Sequence, residues 1–451
     1  MKKLTGITLL LALSAIPQLE AQTFTEFPTS EEMAVTGGVQ VAGISRNGRY
    51  VIGGTYIAGG CVFDVLEKKL LMVGASGVSD DGIAVGGFLK RDVHTGKVVD
   101  YLKMPPGNFI FQMTTGISAD AKIVTGTVGA DWTQLKPIYW EGSEPHILPF
   151  PTTEEVGTFK VNGCRAEGVS SDGSVIWGYF IANPNTNCLI IWERQPDGSY
   201  SYKRQSNIWE KLYEPLFAYK YDETTGTYDF VSGPNPYVRF QPYAMSGDGK
   251  LVLIRTQENT SEAYSPVKVG IYHVDTQEFE LAPWSKDDLI GVAGDFDSRG
   301  IANDGTIVGL SFVSDLSSAV PFIMYPGEGP TYLNDAFPRF DRLNDYAWNS
   351  EMGLPYLLTV ISEDARYIAG YSTDVITYYN EVGQSSQDFG FWGYVIDREG
   401  EGEPEENGVE AIEAEDSEPV YYSLDGIRVT SPERGLYIMQ LPDGTTRKVA
   451  L

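Results

Sequence analysis

The sequence predicts an all-β fold: a seven-bladed β-propeller with a short C-terminal β-hairpin segment. Three observations predict it. A motif of an apolar residue followed by Ser-x-Asp-Gly recurs seven times, in some copies degenerately, starting at residues 44, 78, 117, 169, 245, 301 and 361. Each copy is flanked by short runs of alternating apolar residues at strand spacing. The composition, 49 Gly and 27 Tyr in 451 residues, suits many tight turns joining short strands.

The chain opens with Lys2 and Lys3 ahead of an apolar run from Leu4 to Ile16. A basic start and a short apolar run predict a secretory signal peptide over residues 1–21, cut at Ala21/Gln22. The run is short for a membrane span. No cysteine stands at the cut, so a lipid anchor is not expected. No later stretch is long and apolar enough to cross a bilayer. An exported, soluble protein is expected, secreted or at the outer-membrane surface.

The repeats follow. The copies are Ile44-Ser45-Arg46-Asn47-Gly48, Val78-Ser79-Asp80-Asp81-Gly82, Ile117-Ser118-Ala119-Asp120-Ala121 and Val169-Ser170-Ser171-Asp172-Gly173. Then come Met245-Ser246-Gly247-Asp248-Gly249, Ile301-Ala302-Asn303-Asp304-Gly305 and Ile361-Ser362-Glu363-Asp364-Ala365. The run before each motif reads as a first strand. The Asp-Gly or Asn-Gly pair reads as a tight turn, where glycine tolerates positive φ and the Ser and Asp side chains bond the turn backbone. Second strands follow, such as Tyr50–Gly53 and Ser174–Gly178. Third strands are aromatic, such as Pro137–Trp140, Leu189–Trp192 and Phe391–Tyr394. Fourth strands include Lys69–Val73 and Phe279–Leu281.

Four short antiparallel strands per repeat make a propeller blade. A blade cannot bury both faces alone, so blades stack into a ring, here over residues 22–397. A β-solenoid or two stacked sandwiches is the competing architecture, but solenoid repeats are shorter and more uniform. The last copy supplies only three strands. Gln22–Phe27 is expected to add the fourth and close the ring.

Cys61, Cys164 and Cys188 are an odd set in an exported chain. Cys164 falls by a first strand and Cys188 on a third, roughly twice the 4.8 Å strand spacing apart. A disulfide needs Cα atoms within about 7 Å, so three buried thiols are expected.

The run from Asp397 to Glu418 holds eleven acidic residues and one basic. Residues 398–418 are therefore expected to be a solvated acidic linker. The stretch 419–451 returns to strand patterning, with Val420–Val429 around an Asp425-Gly426 turn, then Gly435–Met439 and Arg447–Leu451.

The Ser-x-Asp-Gly turn, the Val-x-Gly strand and the Tyr/Phe-x-Trp third strand resemble extracellular repeats of the HAF type, and more loosely TolB-like propeller repeats. The tail, with its Tyr-x-Leu-x-Gly-x-Arg-Val hairpin, Gly-Leu-Tyr-Ile strand and terminal Lys-Val, resembles the C-terminal sorting domain of the type IX secretion system of Bacteroidetes. Asp425 stands where that family commonly has Gln or Asn. The resemblance implies passage across the outer membrane through the type IX export machinery, using residues 419–451.

Lys+Arg is 33 against Asp+Glu 61, a net charge of −28, which argues against nucleic acid and anionic membrane as partners. His94, His146 and His273 fall in separate repeats without metal-ligand spacing, and each reads as a surface residue. Arg299 and Thr306 break the EF-hand pattern begun at Asp295. No nucleophile elbow, phosphate loop or CxxC is present. No catalytic residue, metal ligand or cofactor is therefore nominated, and the repeated aspartates read as turn residues.

Insertions are better pointers, because binding residues sit on loops held by a rigid scaffold. Residues 200–243 hold twelve aromatics, and a second cluster spans 332–348. The candidate ligand-binding residues are Trp209, Tyr213, Tyr219, Asp341, Asp345, Tyr346 and Trp348. Aromatic rings beside Asp and Asn suit a glycan or a protein partner. The plainer alternative is loops that simply pack over the propeller face. The function expected is a surface binding or adhesion module, acting as a monomer. The competing function is a secreted carbohydrate-active hydrolase or lyase with a carboxylate pair in the propeller funnel.

Overall fold

A computed structural model describes residues 22–27, 39–55, 59–131, 134–156, 161–182, 186–202, 219–222, 224–225, 227–230, 237–258, 267–283, 296–312, 319–345, 359–379, 385–400, 420–422, 428–429, 436–440 and 446–450. The predicted signal peptide and the acidic stretch 401–418 lie outside the described residues. The chain divides into two compact units, residues 1–400 and 401–451.

The first unit is a seven-bladed propeller, as the repeats predict. Blade 1 comprises Gln40–Ile44, Tyr50–Thr55, Gly59–Asp64 and Lys69–Leu71, paired in that order. Blades 2 to 6 follow the same antiparallel order, with first strands Gly77–Val78, Phe111–Ile117, Val161–Val169, Tyr237–Met245 and Phe296–Ile301. Blade 7 takes Val360–Ile361, Tyr367–Tyr379 and Ser385–Asp397 from the end of the ring and Thr23–Glu26 from its start. Thr23 pairs with Asp397 and Glu26 with Tyr394, so the expected closing strand is in place. Each first strand touches the first strand of the next blade, and the seventh touches the first.

The motif forms its turn as its side chains dictate. The Ser Oγ accepts the N–H five residues on, at 3.0 Å in blade 1 and 2.9 Å in blade 4. It donates to the Asn or Asp Oδ1 two residues on, at 2.9 Å for Ser45 and 2.7 Å for Ser170. These serines are buried, so the bonds satisfy hydroxyls that would otherwise be costly. Burial pushes the Asp172 carboxyl up, but hydrogen bonds from Ser174 and Ser170 outweigh it and hold the group below the usual carboxylate range. The repeated aspartates are turn residues, as read.

Between blades the third strands supply the core. Phe63, Trp140, Trp192, Tyr272, Phe322 and Tyr394 are fully buried, each contributing roughly 2–3 kcal/mol of apolar burial. Blade 2 departs from this pattern. Its third strand carries Lys90, whose Nζ donates to the Ala121 carbonyl of blade 3 at 2.8 Å. Cys164 and Cys188 both sit beside Phe180, on opposite sides of the second strand of blade 4, which keeps them too far apart to bond. All three cysteines are buried thiols, and burial pushes Cys61 up to about 12.

The second unit is a four-stranded antiparallel sheet, ordered Arg428–Val429, Val420–Tyr422, Leu436–Gln440, Thr446–Ala450. The hairpin and the later strands expected from the sequence are there, and because Val420–Tyr422 pairs with Leu436–Gln440 as well as with Arg428–Val429 they form one sheet.

Candidate functional site

The first strands run toward the motif turns, so the ring has two unlike faces. One carries the motif turns and the turns between third and fourth strands. The other carries the connections between second and third strands and all connections between blades.

The motif turns form a hydrogen-bonded circle. The Asp80 N–H donates to the Ala119 carbonyl at 3.0 Å, Ala119 to Ser171 at 2.9 Å and Ser171 to Gly247 at 2.7 Å. Asn303 donates to Glu363 at 2.8 Å, and Glu363 to Arg46 at 2.9 Å. Side chains bridge the two remaining steps. Asp80 Oδ1 accepts the Asn47 N–H at 3.0 Å, and Asn303 Oδ1 accepts that of Asp248 at 2.8 Å. Arg46 crosses from blade 1 to blade 4, where its Nη2 donates to the Val169 carbonyl at 2.6 Å. Ser171 Oγ donates to Glu363 Oε2, and a Cβ on Gly247 would collide with that carboxylate. Burial lowers the pKa of the Arg46 guanidinium against the opposing pull of Glu363 and Asp80.

Inside the circle lies an axial cavity of about 270 Å³, lined by first strands of all seven blades. Its wall is narrow because a glycine precedes the motif in most copies. A Cβ on Gly77 would stand 3.1 Å from Ile117 Cγ2, and one on Gly116 3.0 Å from the Gly168 Cα. The side chains two residues before the motif also line it: Ala42, Ser76, Thr115, Glu167 and Tyr243. Among the described residues Glu167 is its one lining carboxylate and Arg46 its one lining cation. Arg165 Nε stands 3.0 Å from Glu167 Oε1, and its guanidinium lies 5.6 Å from the Tyr179 ring. Arg255 Nη1 donates to Tyr243 Oη at 3.1 Å and lies over the Tyr243 ring. A paired-carboxylate mechanism needs two acids flanking one bond. Among the described residues the cavity lining offers one.

The sequence candidates fall in two connections rooted on the face opposite the motif turns. One leaves blade 4 at Tyr202 and rejoins at Tyr237. The other leaves blade 6 at Tyr332 and rejoins at Val360. Trp209, Tyr213, Tyr346 and Trp348 lie outside the described residues. Tyr219 opens a two-stranded ribbon, Tyr219–Asp222 against Thr227–Phe230. Asp341, exposed, opens the 3-10 helix Asp341–Asp345, and Asp345 closes it. That segment packs against the closing strand. Phe340 lies 5.4 Å from Phe24, Arg342 Nε stands 3.5 Å from Glu26 Oε2, and Phe337 and Leu343 are buried. For this described part, the aromatic cluster is a strap over the ring seam.

The histidines are dispersed. His94 Nε2 is 3.0 Å from Tyr50 Oη, His146 stacks on Tyr139 at 4.8 Å, and His273 meets Glu280 at 3.1 Å. Sequence reasoning missed Arg46, Glu167 and Tyr243. The available signal was position: the residue two before each motif lines the axis in blades 1 to 5, and it is small in the first three and large and polar in blades 4 and 5.

No family model matches the chain, and no curated protein matches it. Solved structures are distantly similar. An oligogalacturonate lyase from Vibrio parahaemolyticus is 9% identical over 84% of this chain and 97% of its own, with a TM-score of 0.46. TolB from Acinetobacter baumannii is 13% identical over 64% of this chain and 52% of its own, with a TM-score of 0.28. A prolyl endopeptidase is 11% identical over 94% of this chain, with a TM-score of 0.38, and this chain spans 47% of its length. The propeller assignment rests on the strand pairing above, not on these neighbours.

Proposed function

We propose that the protein is an exported binding module that holds a protein or glycan on one face of a rigid ring at the cell surface. The observation that supports this reading is the contrast between the faces. The motif turns, linked in a circle and spanned by Arg46, make one face a floor. The other face roots both aromatic-rich connections, and long loops on a fixed scaffold are where recognition residues gather. The N-terminal leader pattern and the tail's likeness to type IX sorting domains support export and surface display, with the acidic linker as spacer. The module acts as a monomer.

The test is a glycan array and a bead pull-down with the full chain, repeated with Trp209, Tyr213, Tyr346 and Trp348 all changed to alanine. At least a tenfold loss is expected, since stacked aromatic anchors each contribute about 1–2 kcal/mol or more. Undiminished binding by the fourfold variant overturns the loop-face reading. For the address, deleting residues 419–451 is expected to trap the protein in the periplasm, and unchanged surface display refutes the sorting role.

A further inference from the structure

The repeats themselves separate scaffold from function. A residue that recurs in every blade is explained by the blade; a residue that breaks the recurrence at an equivalent place needs another reason. The position two before the motif is Ala42, Ser76 and Thr115 in blades 1 to 3, Glu167 and Tyr243 in blades 4 and 5, and Arg299 and Thr359 in blades 6 and 7; among the described residues the first five line the cavity, and Glu167 and Tyr243 are the large ones of these. Each of the two large side chains has its own support. Arg165 stands 3.0 Å from the Glu167 carboxylate, and Arg255 donates to the Tyr243 oxygen at 3.1 Å. The connection from Tyr202 to Tyr237, the longest between blades, springs from between these same two blades. Two independent departures from the repeat therefore coincide.

We propose that Glu167 and Tyr243 form the contact point for a single uncharged sugar unit of a glycan, entering the axial cavity from the face opposite the motif turns. This rests on the glycan form of the reading above. The charges select the ligand. Glu167 is already paired with Arg165, so it serves as a hydrogen-bond acceptor for hydroxyls rather than as a counterion. Arg46 at the floor opposes a cation, and Glu363 and Asp80 beside it oppose an anion. What remains favourable is a neutral, hydroxyl-rich group. Ser76, Thr115 and the glycine-bared strand edges supply further polar partners, and Trp177 supplies an aromatic edge. About 270 Å³ is just under the usual ligand-pocket range of roughly 300–1,000 Å³. It has room for one sugar ring, not a chain.

The experiment is calorimetric titration of the full-length protein with neutral malto-, manno-, galacto- and xylo-oligosaccharides, with oligo-uronates and chitosan oligomers as charged arms. Glu167→Gln and Tyr243→Phe are measured alongside. A neutral oligosaccharide is expected to bind, and each variant to weaken it about tenfold or more, as loss of a charged hydrogen bond predicts. The thermal melt checks the variants, and if Glu167→Gln melts early, Tyr243→Phe carries the test. A neutral glycan bound equally by folded variants overturns this site while leaving the glycan reading intact. Binding of the charged oligomers alone overturns the charge argument. No saccharide bound by the wild-type protein overturns the glycan reading and this site with it.

Discussion

Gly48 of blade 1 lies so close to Tyr367 of blade 7 that a Cβ there would stand 2.7 Å from the tyrosine Cγ. The same relationship recurs around the ring: Gly82 against Tyr50, Gly173 against Ile123, Gly249 against Val175. In each pair the motif glycine of one blade meets the first residue of the second strand of the blade before. The glycine is needed twice, for its φ of 78° at Gly48 and for the space its missing side chain leaves. Gly48→Ala is therefore expected to cost more than about 2 kcal/mol. A thermal melt within 1 °C of wild type, with no change in denaturant midpoint, would contradict this.

Two motif copies show the converse. Ala121 and Ala365 adopt φ of 58° and 62°, in the left-handed region. Strain there costs an alanine about 1–2 kcal/mol, partly offset by the entropy a glycine loses on folding. Ala365→Gly is expected to stabilise by roughly 0.5 kcal/mol, read as a raised denaturant midpoint. A lowered midpoint would mean that the Ala365 methyl contributes packing that outweighs its strain.

Arg49 and Asp64 tie the second and third strands of blade 1 together at 3.1 Å, with Asp64 almost wholly buried and Arg49 one-third exposed. The Asp64 carboxylate also accepts the Leu66 and Glu67 N–H groups, both at 3.1 Å. Arg49→Ala leaves a buried charge with those two donors, and solvent access softens the loss to about 1–2 kcal/mol. Asp64→Ala also removes the turn cap, so it is expected to cost more than Arg49→Ala. Equal losses would show that the turn bonds contribute nothing.

Asp80 titrates above the usual carboxylate value. Burial is the largest cause and Glu363 adds to it, while the Asn47 N–H and Arg46 oppose. The folded protein holds this proton more tightly than the unfolded chain does. Its stabilising contribution is therefore full below the ordinary carboxyl pKa and fades as pH rises through the raised one. Asn at this position keeps the acceptor for Asn47 without the charge. Asp80→Asn is expected to gain on wild type progressively from about pH 4 upward, measured as the difference in denaturant midpoint at each pH. A difference independent of pH would remove Asp80 from the titration.

The buried thiols give a chemical check. Cys164 and Cys188 are pushed well up by burial, as Cys61 is. Thiolate is the reactive form, so iodoacetamide at pH 8 is expected to leave all three unmodified in the folded protein and to label all three in denaturant. Mass spectrometry finding a Cys164–Cys188 bridge would contradict the strand register.

The turns and the blade count were legible because each is encoded within a few residues: Ser45 and Asn47 bond within their own loop, and strands alternate locally; the closing strand followed from the count, since the last copy holds only three strands of its own. The circle of turns was not. Asn47 reaches Asp80 only once neighbouring blades stand side by side, and Arg46 finds Val169 only across a completed ring. The cavity-lining role of Glu167 and Tyr243 was hidden for the same reason: sequence gives the order of strands along the chain, and radius appears only on closure. The packing of Leu333 to Asp345 against the closing strand was not legible either, because buried aromatics and exposed ones look alike in a sequence.

The seam between Thr23–Glu26 and Tyr394–Asp397 joins the earliest and latest parts of the propeller. A ribosome delivers the first of these strands well before its partner exists. Every other blade forms from neighbours along the chain, but this one waits for nearly all the rest to be delivered. Long-range pairing of this kind slows folding and leaves an open strand edge while it waits. The chain thus leaves the ribosome as an open string of blades and becomes a ring only after its last blade has been made.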